Sequence, residues 1–262
     1  MKKLLLALTA VAAFSGSAFA ADLPARTYTK APPPIAPVYS WTGFYIFGGA
    51  GGGLWDANTD VRSTVGGACL LCGFNQTQGG DGWLGTAGAG YDWQINQSWV
   101  AGVLADGQWG SLKGTIQDQG PFSAGRINND YSYAAGVRVG YLVAPNVLSY
   151  VNGGYSGSHW KGTTLFSTIT GGPIGSTNGF DRSGWFVGGG VENNLNIFGI
   201  SAPGWFMKTE YRGAFYDTKN ITEFGAGVGG GTRDITFKPW VQTITTSIVY
   251  RFNWGGPVVA KY

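Results

Sequence analysis

Between Trp83 and Trp109 the chain reads WLGTAGAGYDW, then QINQS, then WVAGVLADGQW. Trp83 and Trp93 are ten positions apart, and so are Trp99 and Trp109. An even spacing puts both members of each pair on one side of a β-strand, because successive side chains alternate between faces. Ten residues at ~3.3 Å rise and a tilt of roughly 40° span about 25 Å along a barrel axis. That is about the height of the apolar band of an outer-membrane barrel, with an aromatic residue at each rim. The intervening Ile95-Asn96-Gln97-Ser98 is a tight polar turn. The stretch therefore reads as one membrane-spanning hairpin.

Working outward, similar runs recur. The first covers about Thr42–Leu54 and the fourth Tyr131–Val143. Within the fourth, Tyr133, Ala135, Val137, Val139 and Tyr141 share a face opposite Ala134, Gly136, Arg138 and Gly140. The fifth is Val147–Trp160, after an Ala144-Pro145-Asn146 turn, and the sixth is Ser183–Asn194. In the seventh, Gly204–Asp217, Trp205, Met207, Thr209, Tyr211 and Phe215 alternate with Lys208, Glu210 and Arg212. The eighth runs from Pro239 to Phe252. Tyr131 to Tyr141 and Trp205 to Phe215 repeat the ten-residue spacing. The eight rim residues Trp83, Trp93, Trp99, Trp109, Tyr131, Tyr141, Trp205 and Phe215 form an expected aromatic girdle. Short turns alternate with long polar connections, with a medium turn at Ile197–Pro203. The expected fold is all-β: a transmembrane up-and-down antiparallel β-barrel of about eight strands, with short periplasmic turns and long extracellular loops.

A soluble up-and-down barrel has the same period of two, so alternation alone does not separate the two folds. Composition does. Gly is 46 of 262 residues, aromatics make up 15% and charged residues only 12%. A soluble surface normally carries about twice that charge. The polar face is mostly Gly, Ser, Thr and Asn.

The ends of the chain carry their own signals. Lys2-Lys3, the apolar Leu4–Phe14 and the Ala18-Phe19-Ala20 motif make residues 1–20 a secretory signal peptide. Taking Lys2 and Lys3 from the 17 basic residues leaves 15 against 14 acidic ones. This near-neutral balance has no basic stripe for nucleic acid. Residues 21–40 hold five prolines and read as an extended periplasmic linker. The barrel is then expected over 41–252, with 253–262 a C-terminal tail.

Thr245-Thr246-Ser247-Ile248-Val249-Tyr250-Arg251-Phe252 resembles the C-terminal signal read by the outer-membrane assembly machinery, carried by Tyr250 and Phe252. Together with SWTGFYIFGGAGGG (40–53), GWFVGGGVE (184–192) and MKTEYRGAFYD (207–217), it makes the chain resemble the alphaproteobacterial outer-membrane immunogenic protein family, also called the porin family of small OmpA-type barrels. The similarity covers nearly the whole chain, including the ADLP…APPP linker. In that family the signal usually ends the chain, whereas here Asn253–Tyr262 follow. The resemblance implies an integral outer-membrane protein exposed at the cell surface, a candidate for passing small solutes, and implies no catalytic site.

Asp106, Arg138, Glu192, Lys208, Glu210, Arg212 and Arg251 all fall on the inferred lumen face, four positive and three negative. A narrow barrel is filled by its own side chains. The set reads either as a charge-paired plug or as a narrow polar pathway, and the cost of lone buried charges favours the plug. Cys69-Leu70-Leu71-Cys72 lies in the first long loop, where an oxidising compartment makes a local disulfide the better expectation than redox or metal chemistry. Gly225-Ala226-Gly227-Val228-Gly229-Gly230 matches GxGxxG but lacks a following helix, so it reads as a loop tip. His159 is the single histidine, with no Ser or Cys partner assembled around it. No catalytic, cofactor-binding or metal-binding residues are expected, and hence no enzyme. The expected role is structural and barrier-forming. The alternatives are a narrow porin, or a ligand-binding or adhesive surface protein using its long loops. Expected partners are outer-membrane lipid and the assembly machinery, with the cell wall or host ligands as further candidates.

Overall fold

A computed structural model describes residues 40–65, 68–71, 75–118, 123–197, 200–226 and 230–252. Eight long strands form the barrel wall: β1 (Gly43–Val65), β3 (Asn75–Gln94), β4 (Trp99–Asp118), β5 (Ser123–Ala144), β6 (Val147–Lys161), β9 (Phe180–Ile197), β10 (Ile200–Tyr216) and β12 (Arg233–Phe252). Four short strands lie in the connections: β2 (Ala68–Leu71), β7 (Thr164–Ser167), β8 (Pro173–Thr177) and β11 (Lys219–Phe224). Each long strand pairs antiparallel with the next, and β1 pairs with β12 from Phe44↔Phe252 to Arg62↔Asp234. The sheet therefore closes on itself and leaves no edge in the band below its long-strand end.

Closure follows from the alternation. β12 has the burial pattern of strict in-out periodicity over all 20 residues. Outward lie Ile46, Val103, Val137, Val139, Val151, Val187, Val191, Ile244 and Ile248, all well exposed. Inward lie the two apolar clusters, one around Trp41, Tyr45, Phe206 and Val249, the other around Trp55, Trp160, Phe186 and Phe237.

The turns between β3 and β4 and between β5 and β6 are the tight ones read from sequence. Asn96 Oδ1 accepts the N–H groups of Ser98 at 2.8 Å and Trp99 at 2.9 Å. β9 and β10 run closer together than the Ile197–Pro203 turn suggests, with a register shift between Ser201 and Phe206. Gly204 there has φ +82°, a left-handed conformation that favours glycine.

The other end differs more. β1, β3, β4, β5 and β12 continue well past the outer aromatic positions, into segments whose polar sequence reads as loop. β6, β9 and β10 stop earlier, and the hairpin β7–β8 and strand β11 take their place, pairing β5–β7, β7–β8, β8–β11 and β11–β12. The ring is thus eight strands round at both levels, with β1, β3, β4, β5 and β12 common to both.

Candidate functional site

The lumen is where charged residues gather, because the outer face excludes them. At the short-turn end, β3, β5, β9 and β12 each contribute one charge. Arg138 donates from Nε to Asp92 Oδ1 at 2.8 Å and from Nη1 to Glu192 Oε2 at 3.1 Å, with a further close Arg138–Asp92 contact. Arg251 donates from Nε to Glu192 Oε1 at 2.7 Å and from Nη1 to Asp92 Oδ2 at 2.8 Å. Two arginines and two carboxylates make a closed, neutral tetrad spanning the lumen. Tyr45 and Tyr150 flank Arg138, at 4.4 and 5.1 Å from its guanidinium carbon.

Trp41 closes the mouth beneath this tetrad. Its backbone N–H donates to Gln94 Oε1 at 3.0 Å and its indole N–H to the Pro145 carbonyl at 3.2 Å. Its carbonyl accepts from Arg251 Nη1, and the Arg251 guanidinium lies 4.5 Å from its ring centroid. Trp41 is therefore buried at 1% exposure, a stopper held from the ends of β3 and β12 and from the β5–β6 turn.

A second neutral tetrad lies above. Arg212 grips Asp106 with two N–H groups at 2.8 and 2.7 Å, and Glu210 Oε1 with Nη2 at 2.8 Å. Glu210 Oε2 accepts from the Tyr150 hydroxyl at 2.8 Å and Asn152 Nδ2 at 3.0 Å, and lies 3.7 Å from Lys208 Nζ. Lys208 Nζ also sits 3.3 Å from the Phe47 ring centroid. Charge pairing inside apolar walls keeps the charges of the two tetrads solvated by protein, which is what a narrow interior demands. Above these groups the edge-on packing of Trp55 with Trp160 at 5.1 Å and of Trp160 with Phe237 at 5.2 Å fills the lumen with rings.

All seven charges read from sequence thus come together in the lumen, and Asp92 joins them as an eighth. Its parity signals it: Asp92 is adjacent to outward Trp93 and Tyr91, so it must face in. Tyr45, Trp41, Trp55 and Trp160 are also interior, although aromatic residues in such a chain read first as girdle.

The eight girdle residues of the sequence reading face outward, at two levels. Trp99 packs on Tyr141 at 5.3 Å and Trp205 on Tyr250 at 4.9 Å at the short-turn end. Phe215 stacks between Trp185 at 4.5 Å and Trp240 at 5.5 Å at the other level, where Trp83, Trp109 and Tyr131 also lie exposed. Tyr250 and Phe252 pack on each other at 4.8 Å beside the β1–β12 closure. His159 lies at the upper level, stacked on Tyr131 at 4.9 Å and bonded through Nδ1 to Asp181 at 2.8 Å. The Cys69–Cys72 pairing falls outside the described residues, as do residues 1–39 and 253–262 and the Gly227–Gly229 part of the glycine-rich stretch. Among the described residues no group of three His, Cys, Asp or Glu is placed to hold a metal ion.

No family model matches the chain. Curated relatives do. The chain is 30% identical over 260 residues to the 25 kDa outer-membrane immunogenic protein of Brucella canis, covering 96% of this chain and 99% of that one. It is 27% identical over 229 residues to the 31 kDa outer-membrane immunogenic protein of Brucella melitensis, covering 85% and 90%. Among solved structures, the fold is similar to the outer membrane protein OprG from Pseudomonas aeruginosa, with TM-score 0.51, 12% identity, and coverage of 80% of this chain and 97% of that one.

Proposed function

This chain belongs to the family of the Brucella 25 and 31 kDa outer-membrane immunogenic proteins, a bacterial outer-membrane β-barrel, and on that premise we propose that it is a sealed barrier and surface-display barrel rather than a solute path. The observation that carries this is the double tetrad. Eight buried charges, four of each sign, are paired inside the lumen, the first tetrad linking β3, β5, β9 and β12 and the second joining β10 to β4 on the opposite wall. Opening a path requires parting at least one pair inside the barrel, at a cost of about 3–5 kcal/mol. At about 1.4 kcal/mol per factor of ten, an open lumen would be populated at roughly one part in a hundred to one in a few thousand. The aromatic stopper at Trp41 adds a second closure in series.

The remaining parts fit this role. The band of valine and isoleucine meets lipid, and the two aromatic levels fix depth in the membrane. Tyr250 and Phe252 present their rings beside the closing seam, where the assembly machinery would read the last strand. Residues 1–20 direct export, and the proline-rich 21–40 segment acts as a periplasmic spacer toward the cell wall. Planar-bilayer recording with refolded protein tests the sealed lumen. A flat baseline at 100 mV is expected; steady, uniform single-channel openings would replace the barrier by a narrow porin.

A further inference from the structure

Eleven charged side chains are buried among the described residues, five carboxylates and six cations. The two tetrads account for four of each. Glu223 and Arg233 pair with one another farther out. That leaves Arg182, 3% exposed, with no carboxylate. Its sequence neighbour Asp181 compensates it only weakly, from the far side of the wall. The two alternate along β9, so the Asp181 carboxylate is on the outer face, 78% exposed and bonded to His159. Arg182 Nη1 donates to the Asp181 backbone carbonyl at 3.0 Å, and this is its single hydrogen bond. Its Nε and Nη2 donors, both buried, have no partner.

The surroundings supply aromatic faces and no acceptor charge. The guanidinium carbon lies 4.4 Å from the Phe180 ring centroid and 5.9 Å from that of Phe237. Trp55 packs on the same Phe237 ring, 5.9 Å between centroids, and its buried indole N–H is also without a partner. Across the strands Arg182 lies in one row with Ser158, Ser132 and Gln108. A cavity of about 10 Å³ lies farther along this row, lined by Gln108 and Ser132 with Leu84, Gly110, Leu112 and Asn129, and not by Arg182 itself. Arg182 is three residues beyond outward-facing Trp185, on the cell-surface side of the outer aromatic level. Burial pulls its pKa down to about 10, against the pull of Asp181, so the group stays charged at neutral pH.

We propose that Arg182 holds a small monovalent anion of halide size in the outer end of the barrel. Each alternative occupant fails on one count. Water satisfies the orphan N–H groups but leaves an uncompensated buried charge, which is costly. A phosphate dianion requires a second unpaired cation, and the other five buried cations have carboxylates. An organic acid is too large to reach a guanidinium that is 3% exposed and packed against aromatic rings. A halide matches the single charge and the two unpartnered N–H groups of the guanidinium, and the weakly hydrated ion suits the aromatic walls.

The test uses the whole mature barrel refolded in detergent. Thermal unfolding midpoints are compared in sodium chloride or bromide and in sodium gluconate at matched ionic strength. Wild type is expected to gain about 5–10 °C at a hundredfold halide excess over the dissociation constant. Arg182→Met should lose this response, and in gluconate should melt no lower than wild type, because it deletes an uncompensated charge. Bromide-soaked wild-type crystals, which need no variant to fold, should show an anomalous peak at hydrogen-bond distance from Arg182 Nε or Nη2. A wild-type midpoint indifferent to halide, a halide response retained in Arg182→Met, or a bromide map empty at this position overturns the proposal.

Discussion

Asp92 accepts from two arginines that reach it from different strands, Arg138 on β5 and Arg251 on β12, while Lys208 makes one ion pair at 3.7 Å. The two positions should therefore differ in cost. Asp92→Asn leaves both arginines short of a carboxylate in a site with 0% exposure, and is expected to lose about 3–5 kcal/mol. Lys208→Met keeps the volume against Phe47, and Glu210 keeps Arg212, Tyr150 and Asn152, so about 1–2 kcal/mol is expected. Urea unfolding of micelle-refolded protein measures both. Equal costs, or a larger one for Lys208→Met, would show that the tetrads are not the units that hold the lumen shut. Asp92 was legible from parity alone, one residue from an outward Trp93. Arg182 was not, because its isolation depends on which way Asp181 turns and on walls brought together from distant segments.

At the level of elements, the closing pair β1–β12 has the least slack. A methyl group built on inward Gly51 would lie 1.9 Å from the Ile244 carbonyl oxygen and 2.7 Å from Thr245 Cα. Both are backbone atoms of β12, so the contact cannot be relieved by a side-chain rotation. The same methyl on outward Gly52 meets nothing nearer than the Gly82 carbonyl oxygen at 3.6 Å. Gly51→Ala is accordingly expected to destabilise by about 3 kcal/mol and to deplete the compact, boiling-sensitive band on a detergent gel. Gly52→Ala should stay within about 0.5 kcal/mol of wild type. Matching band intensities for the two would mean that the seam yields more than its packing implies. Lipid makes the outward half of each strand readable: polar side chains there must find each other, as Tyr211 does with Gln242 at 2.8 Å. Beyond the outer aromatic level water bathes the exterior, the constraint lapses, and the polar continuations of β1, β3, β4 and β5 look like loop.

The whole molecule is two rings sharing five strands, and their stabilities should be separable. Below, the ring carries both tetrads and the lipid-facing band. Above, β7, β8 and β11 stand in for β6, β9 and β10, held by polar contacts such as Arg233 with Ser123 at 2.6 Å and Gln78 with the Gln117 carbonyl at 2.8 Å. The β7–β8 hairpin turns through Gly171 at φ +71°, with its N–H donated to the Ser167 carbonyl at 2.9 Å. Deleting 163–178 would join Gly162 to Gly179 just above the last β6–β9 pair, Trp160↔Phe180, leaving that pairing and both tetrads in place. The shortened chain is therefore expected to keep its boiling-sensitive compact form and its flat bilayer baseline. The upper ring, opened between β5 and β11, should become protease-sensitive near Ser123 and Phe224 where wild type resists. If the deletion instead abolished the compact form, the membrane ring could not be an independent unit. Steady conductance in a still-folded deletion would place the seal in the upper ring and not in the paired charges beneath it.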